Sequence, residues 1–159
     1  MITVRMIFVG SFKEAYWRDA AAEYEKRLLG LCRFESVCLK EERLPENPSQ
    51  KQIEAALAAE GDAILAAIPR RAYKIAMCVE GKEMSSEALA ERIGRISEST
   101  DTICFVIGSS YGLSEKVKQA CDLRLSVSQM TFPHQLLRVM LLEIVYRSFQ
   151  ILRGSRYHK

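Results

Sequence analysis

Hydrophobic positions follow two alternating rhythms along the chain. Short apolar runs at Ile2–Val9, Cys32–Leu39, Lys74–Val79, Thr102–Ile107 and Leu123–Val127 have the length and composition of strands. Between them lie longer stretches with helical spacing. Glu14–Leu29 is one, stopped by Gly30, and Ala15, Ala22, Tyr24 and Leu28 are its expected buried residues. After a charged loop over Lys40–Pro48, Ser49 stands at an N-cap position with Gln52 placed to complete a capping box, and the helix runs to about Ala67 before Pro69. Glu80-Gly81-Lys82 reads as a turn closing the third strand, followed by a helix over Ser85–Ser97 and a short one over Ser114–Ala120. The last helix opens at Phe132-Pro133-His134 and ends at Arg153-Gly154, with Pro133 suited to its first turn, where a missing N–H costs nothing. Strands interleaved with helices predict an α/β fold: a mostly parallel sheet of five to six strands with helices on both faces. No linker or repeat divides the 159 residues, so residues 1–159 read as a single domain.

The last helix is too apolar for one surface. At 100° per residue, Leu137, Met140, Leu141, Ile144, Val145, Phe149, Ile151 and Leu152 cover about half its circumference, which leaves a polar strip of Glu143, Arg147 and Gln150. Either a second copy of the chain covers the excess, or the helix is buried deep within one chain.

Charge sharpens the view of this end. The net charge is only +3, so the chain is no general polycation, yet from Arg138 to Lys159 four Arg, one Lys and one His face the single acid Glu143. A basic end on a near-neutral body suits a docked, phosphate-bearing partner. Five widely spaced cysteines, with no C-x-x-C pair and no Cys/His cluster at zinc spacing, argue against disulfides or a metal site; four of them sit in or beside apolar strand-like runs, where a free thiol acts as a small hydrophobe. No apolar run approaches the roughly 20 residues of a membrane span, and MITVRMIFVG lacks the marks of a leader. A cytoplasmic protein that binds neither membrane nor metal is the expectation.

Ligands of open α/β sheets bind beyond the carboxyl ends of strands. Three such ends carry chemistry here: Met77–Gly81, Gly108–Gly112 and Ser128–Phe132. The glycines at 108 and 112 would let a ligand approach the backbone, although a tight turn without a ligand has the same sequence, and no phosphate-loop lysine follows. His134 is a hydrogen-bonding residue at a helix start. Glu143 and Arg147, four apart, form either a solvated pair or a buried functional one. In the tail, Tyr157 can stack on a base, Arg156 and Lys159 can meet phosphate, and His158 can exchange a proton near neutral pH, unless the tail is simply a disordered basic end.

Taken together these residues resemble one family along the whole chain. The match begins with Gly10-x-x-Lys13-Glu14-x-Tyr16-Trp17 and Glu23-Tyr24-Glu25-Lys26-Arg27, and continues through Glu60-Gly61, Gly81-Lys82, Phe105-Val106-Ile107-Gly108 and Gly112-Leu113. Its most specific part is Met130-Thr131-Phe132-Pro133-His134-Gln135, with Arg138-Val139, Glu143, Tyr146-Arg147 and the closing Tyr157-His158-Lys159. The pattern is similar to the RlmH-type ribosomal RNA large-subunit methyltransferases, small members of the SPOUT class.

The resemblance implies an α/β knot, in which the C-terminal part of the sheet forms a deep trefoil, and a homodimer that uses S-adenosyl-L-methionine. It implies methylation of N3 of a pseudouridine in a 23S rRNA stem-loop of the assembled 70S ribosome. Carried over by residue, the cofactor pocket is Met77, Gly108, Val127, Ser128, Gln129, Met130, Thr131 and Phe132. The target base meets Arg156, Tyr157 and His158, with His158 or Arg156 aiding loss of the N3 proton, while Arg147, Arg153 and Lys159 contact RNA phosphates. Many members have two glycines where this chain has Gly108-Ser109; the serine narrows the turn and leaves Gly108 in place. The competing class is a ribosome-associated binding protein with the same basic end and no catalysis.

Overall fold

The structure, a computed structural model, describes residues 1–157; the expected site residues His158 and Lys159 lie outside the described residues. In chain order the elements are β1 (Thr3–Val9), α1 (Ala15–Leu28), β2 (Arg33–Leu39), α2 (Gln50–Ala67), β3 (Tyr73–Glu83), α3 (Ser86–Ser99), β4 (Thr102–Ile107), α4 (Glu115–Ala120), β5 (Leu123–Ser126) and α5 (His134–Leu152). The five strands form one sheet in the order β2-β1-β4-β3-β5, and every pairing is parallel. The expectation of five to six strands resolves to five.

Central strands of a parallel sheet are covered on both faces and so read as continuous apolar runs. β4 is buried from Ile103 to Ile107, and its neighbour β1 is nearly so. Alternate residues feed two cores. Val4, Met6, Phe8, Ile103, Phe105 and Ile107 pack with α1, α3 and α5 on one face; Ile7, Val9, Cys104 and Val106 pack with α2 and α4 on the other. α5 lies against both α1 and α3. Much of its apolar circumference is therefore used within one chain, through Leu141, Leu142, Val145 and Phe149, while Leu137, Met140 and Ile151 stay half-buried.

Local signals are realised at several ends. Ser49 Oγ accepts from the Gln52 N–H at 3.2 Å and Gln52 Oε1 accepts from the Ser49 N–H at 2.8 Å, which completes the expected capping box. Other details differ. On α1 the buried residues are Ala21 and Leu28, while Ala15 and Ala22 are exposed, so the inward stripe runs one residue earlier than the Ala22 assignment. Pro133 is the N-cap of α5, not its first residue, and its carbonyl accepts from the Leu137 N–H.

The largest departure is in β3. Glu80-Gly81-Lys82 does not end the strand, which continues to Glu83. Both Met77 and Lys82 register with Leu125, so residues 78–81 leave the ladder and the chain then rejoins the same partner. Gly81 makes that possible: a Cβ there would lie 2.7 Å from the Leu125 backbone carbon. Gly81→Ala is therefore expected to lower unfolding free energy by about 2–3 kcal/mol through overpacking against backbone that cannot yield. Gly94→Ala, mid-helix in α3 and facing only the flexible end of Leu152, should be neutral or stabilising in the same urea titrations.

Candidate active site

The excursion at 78–81, the 108–112 turn after β4 and the loop between β5 and α5 enclose one cavity of about 460 Å³. It lies at the carboxyl ends of β3, β4 and β5, as expected for an open α/β sheet. Its apolar surface comes from Met77, Ile107, Leu113, Leu125, Val127 and Leu137. Of the residues singled out for the cofactor, Met77, Gly108, Val127, Ser128, Met130, Thr131 and Phe132 all line it. Gln129 does not; it is exposed and lines a separate groove with Val79, Glu80, Gly81 and Glu83.

Each wall has its own local cause. The 108–112 turn is closed on itself: the Gly112 N–H donates to the Ser109 carbonyl at 2.8 Å, and a Cβ on Gly108 would fall 2.1 Å from the Gly112 oxygen. Gly112 has φ +88°, a left-handed value that a side chain would strain. In the opposite loop Ser126 Oγ donates to the Ser128 carbonyl at 2.9 Å, and Ser128 Oγ accepts from the Met130 N–H at 3.0 Å. These bonds turn the chain at once after β5 and leave Met130 and Phe132 exposed at the mouth.

One charged pair at the cavity could not be expected from the sequence. Lys118 of α4 pairs with Glu80 of the excursion, and that hydrogen bond holds the Glu80 carboxyl below the usual carboxylate range. Nothing in a spacing rule links positions 80 and 118; only the fold brings them together. His134 lines the cavity half-buried, and burial followed by the nearby Arg138 charge pushes its pKa down, so its imidazole is neutral near pH 7.

Arg138 corrects the picture of a basic end. It is 1% exposed, inside the core and not on a surface that RNA could reach. Its Nη2 donates to the Val9 carbonyl at 2.6 Å, and its guanidinium lies 4.2 Å from the Phe8 ring centroid and 5.1 Å from that of Phe12. Burial lowers its pKa to about 10, which still leaves it charged at neutral pH.

The tail docks on α5. Gly154 (φ +68°) ends the helix, and the Ser155 N–H donates to the Gln150 carbonyl. Tyr157 Oη donates to Glu143 Oε2 at 2.9 Å, and its ring meets Tyr146 edge-on with the Arg147 guanidinium 4.8 Å from its centroid. Arg147 in turn bonds Glu143 Oε1 through both Nε and Nη2, so the pair is partly buried and shared with the tail. Arg153 Nη2 donates to the Gly30 carbonyl at 2.9 Å. Arg156 is exposed. Neither Arg156 nor Tyr157 lines the cavity. Glu143, where Tyr157 docks, lies nine residues beyond His134, about 13 Å along the helix.

A family model described as "Predicted SPOUT methyltransferase" matches residues 2–158. The chain belongs to the SPOUT methyltransferase family. Among solved structures, this SPOUT protein is similar to a probable methylase family protein from Haemophilus influenzae Rd KW20, with 12% identity and a TM-score of 0.55 over 98% of this chain and 70% of that one. It is also similar to the tRNA (m1G37) methyltransferase from Aquifex aeolicus, with 13% identity and a TM-score of 0.55 over 99% and 73% of the two chains. At such identities the likeness establishes a shared fold. SPOUT methyltransferases generally use S-adenosylmethionine. Among the described residues no helix is long and apolar enough to cross a membrane, and no cluster of His, Cys, Asp and Glu could hold a metal ion.

One cysteine, Cys78, lines the cavity, and burial raises its thiol pKa. Burial pushes Cys32 and Cys121 up to about 11 and Cys104 to about 12. A thiol reagent near neutral pH should modify exposed Cys38 first and half-buried Cys78 and Cys121 slowly, and should reach Cys32 and Cys104 only on unfolding. The raised thiols also set a direction for pH. Unfolded thiols titrate near 9.0 while the buried ones stay protonated, so stability intact below that pH should decline as pH rises toward about 11. Urea midpoints across that window check the trend.

Proposed function

We propose that this SPOUT protein is an S-adenosylmethionine-dependent RNA methyltransferase that acts on N3 of a pseudouridine in 23S rRNA within the assembled 70S ribosome. The observation that carries the reading is the cavity. It is built from the same three strand ends to which the family resemblance assigns the cofactor, and seven of those eight residues line it. A solved structure of the same fold is named as a tRNA methyltransferase, in keeping with an RNA substrate.

The residues present fit the cofactor. A slot with Met77, Ile107 and Leu125 on its apolar side and the backbone of two turns beside them suits a flat purine and a thioether chain together. Bound there, S-adenosylmethionine would supply an electrophilic sulfonium methyl group for in-line transfer to a base nitrogen, with the thioether as leaving group. The protein's own work is alignment and management of the N3 proton. His158 or Arg156 assists loss of that proton or stabilises the anionic base, Tyr157 stacks on it, and Arg147, Arg153 and Lys159 meet the phosphates. None of this requires a nucleophile on the enzyme.

The active species is a homodimer. Within one chain the tail lies along α5, away from the cavity wall, so a second copy brings Arg156 and Tyr157 to the target base beside the first copy's cofactor. The half-buried Leu137, Val139 and Met140 of α5 provide the apolar seam.

Mass spectrometry of 23S rRNA from a deletion strain, with purified protein added back to 70S particles and to separate subunits, tests the substrate. Methylation should return on 70S particles; return on free 50S subunits alone would overturn the assembled-ribosome reading. His158→Ala should lower turnover by about 100-fold if that side chain handles the proton. Titration calorimetry with S-adenosylmethionine separates the enzyme from a non-catalytic binder, and the cofactor should also shield Cys78 from thiol reagents while leaving Cys38 unaffected.

A further inference from the structure

A buried carboxylate sits behind the cavity wall. Glu60 of α2 is 5% exposed, and both its oxygens are engaged. Oε1 accepts from Ser109 Oγ at 2.8 Å, a fully buried bond across 49 residues of sequence, and Oε2 accepts from the Glu42 N–H at 3.0 Å. Ser109 lines the cavity; Glu42 belongs to the stretch between β2 and α2 that has no regular secondary structure.

The turn that carries Ser109 holds its own shape. The Gly112-to-Ser109 hydrogen bond and the backbone contact at Gly108 close it internally, so it moves as a unit. On one side β4 carries it. On the other, the Ser109–Glu60 bond fixes its tilt, and charge-assisted bonds of this kind are short and directional. A carboxylate taken out of water is costly unless its lone pairs are satisfied, and here two donors from two separate segments satisfy them. We propose that Glu60 is a positioning residue that sets the cavity wall by holding Ser109, and through it the whole 108–112 turn, in the orientation that receives S-adenosylmethionine. It also holds the loop bearing Glu42 against the same turn.

The inference rests on the cofactor reading above, so its test has an arm that does not. In titration calorimetry with S-adenosylmethionine, Glu60→Ala and Ser109→Ala should each weaken binding by about tenfold, as loss of one buried charge-assisted bond would. The double variant should bind about as weakly as Glu60→Ala alone, because both changes remove the same contact. Glu60→Gln should restore near-native affinity, since its amide can accept from the Glu42 N–H and donate to Ser109 Oγ. In turnover assays Ser109→Ala should raise KM for the cofactor by a larger factor than it lowers kcat. Equal affinities in all variants, or losses that simply add, would overturn the proposal. Hydrogen exchange without cofactor reads the positioning directly: amides at 108–113 should exchange faster in Glu60→Ala and Ser109→Ala than in the wild type and Glu60→Gln, and unchanged rates would overturn it even if the wild type binds. If the wild type binds no cofactor, the functional reading fails and the exchange arm alone decides the role of Glu60. Ser109→Ala keeps the Glu60–Glu42 bond, so the test survives a Glu60→Ala variant that does not fold.

Discussion

Backbone crowding around β5 is the constraint on which the site depends. A strand of four residues must register with β3 on both sides of an excursion, and the two stretches of β3 compete for the same Leu125. That arrangement works only because position 81 has no side chain. It throws residues 78–80 out toward the 108–112 turn and the loop after β5, and the space between these segments is the cavity. The hole is thus a by-product of strand geometry, with side-chain bonds such as Ser109–Glu60 and Lys118–Glu80 bracing its walls. This explains how loops can form a stable wall: each is pinned at both ends by a strand or helix, and the 108–112 turn and the loop after β5 are also closed by their own hydrogen bonds.

Much of this was legible in residue order. Strand and helix alternation is written in hydrophobic period, and the cap at Ser49 in a four-residue motif, so both translate directly. The cavity lining was reached from the resemblance and from the rule for strand ends, and the two agreed. What stayed hidden depends on distant pairs. Glu80 reads as part of a polar turn until Lys118 is placed beside it, and Glu60 reads as an ordinary helix carboxylate until Ser109 reaches it. Ser109 reads as a residue that narrows a turn, yet its hydroxyl reaches Glu60, so its oxygen is a handle more than an obstruction. Arg138 misled for the opposite reason: in one dimension it joins a basic cluster, whereas the fold turns it into the core over Phe8 and Phe12.

The terminal helix carries both meanings that its composition allowed. Leu141, Leu142, Val145 and Phe149 are spent inside the chain between α1 and α3, and a half-buried apolar margin is left over. Its polar strip is no solvated face. Glu143 receives Arg147 on one oxygen and Tyr157 on the other, so one carboxylate organises the last residues of the described chain. Burial and its hydrogen bond to Glu143 raise the Tyr157 pKa, which keeps the phenol a proton donor through the neutral range.

The strand order has a consequence for how the chain comes to be folded. β1 sits between β2 and β4, and Thr3 pairs with Thr102, so the middle of the sheet joins segments far apart in sequence. A nascent chain that has made only β1 and β2 holds an apolar strand edge with nothing to place against it. Non-local parallel pairing of this sort folds slowly and exposes sticky intermediates. Synthesis must therefore pass Ile107 before β1 gains its second partner strand, and that interval is when a holding chaperone would matter most.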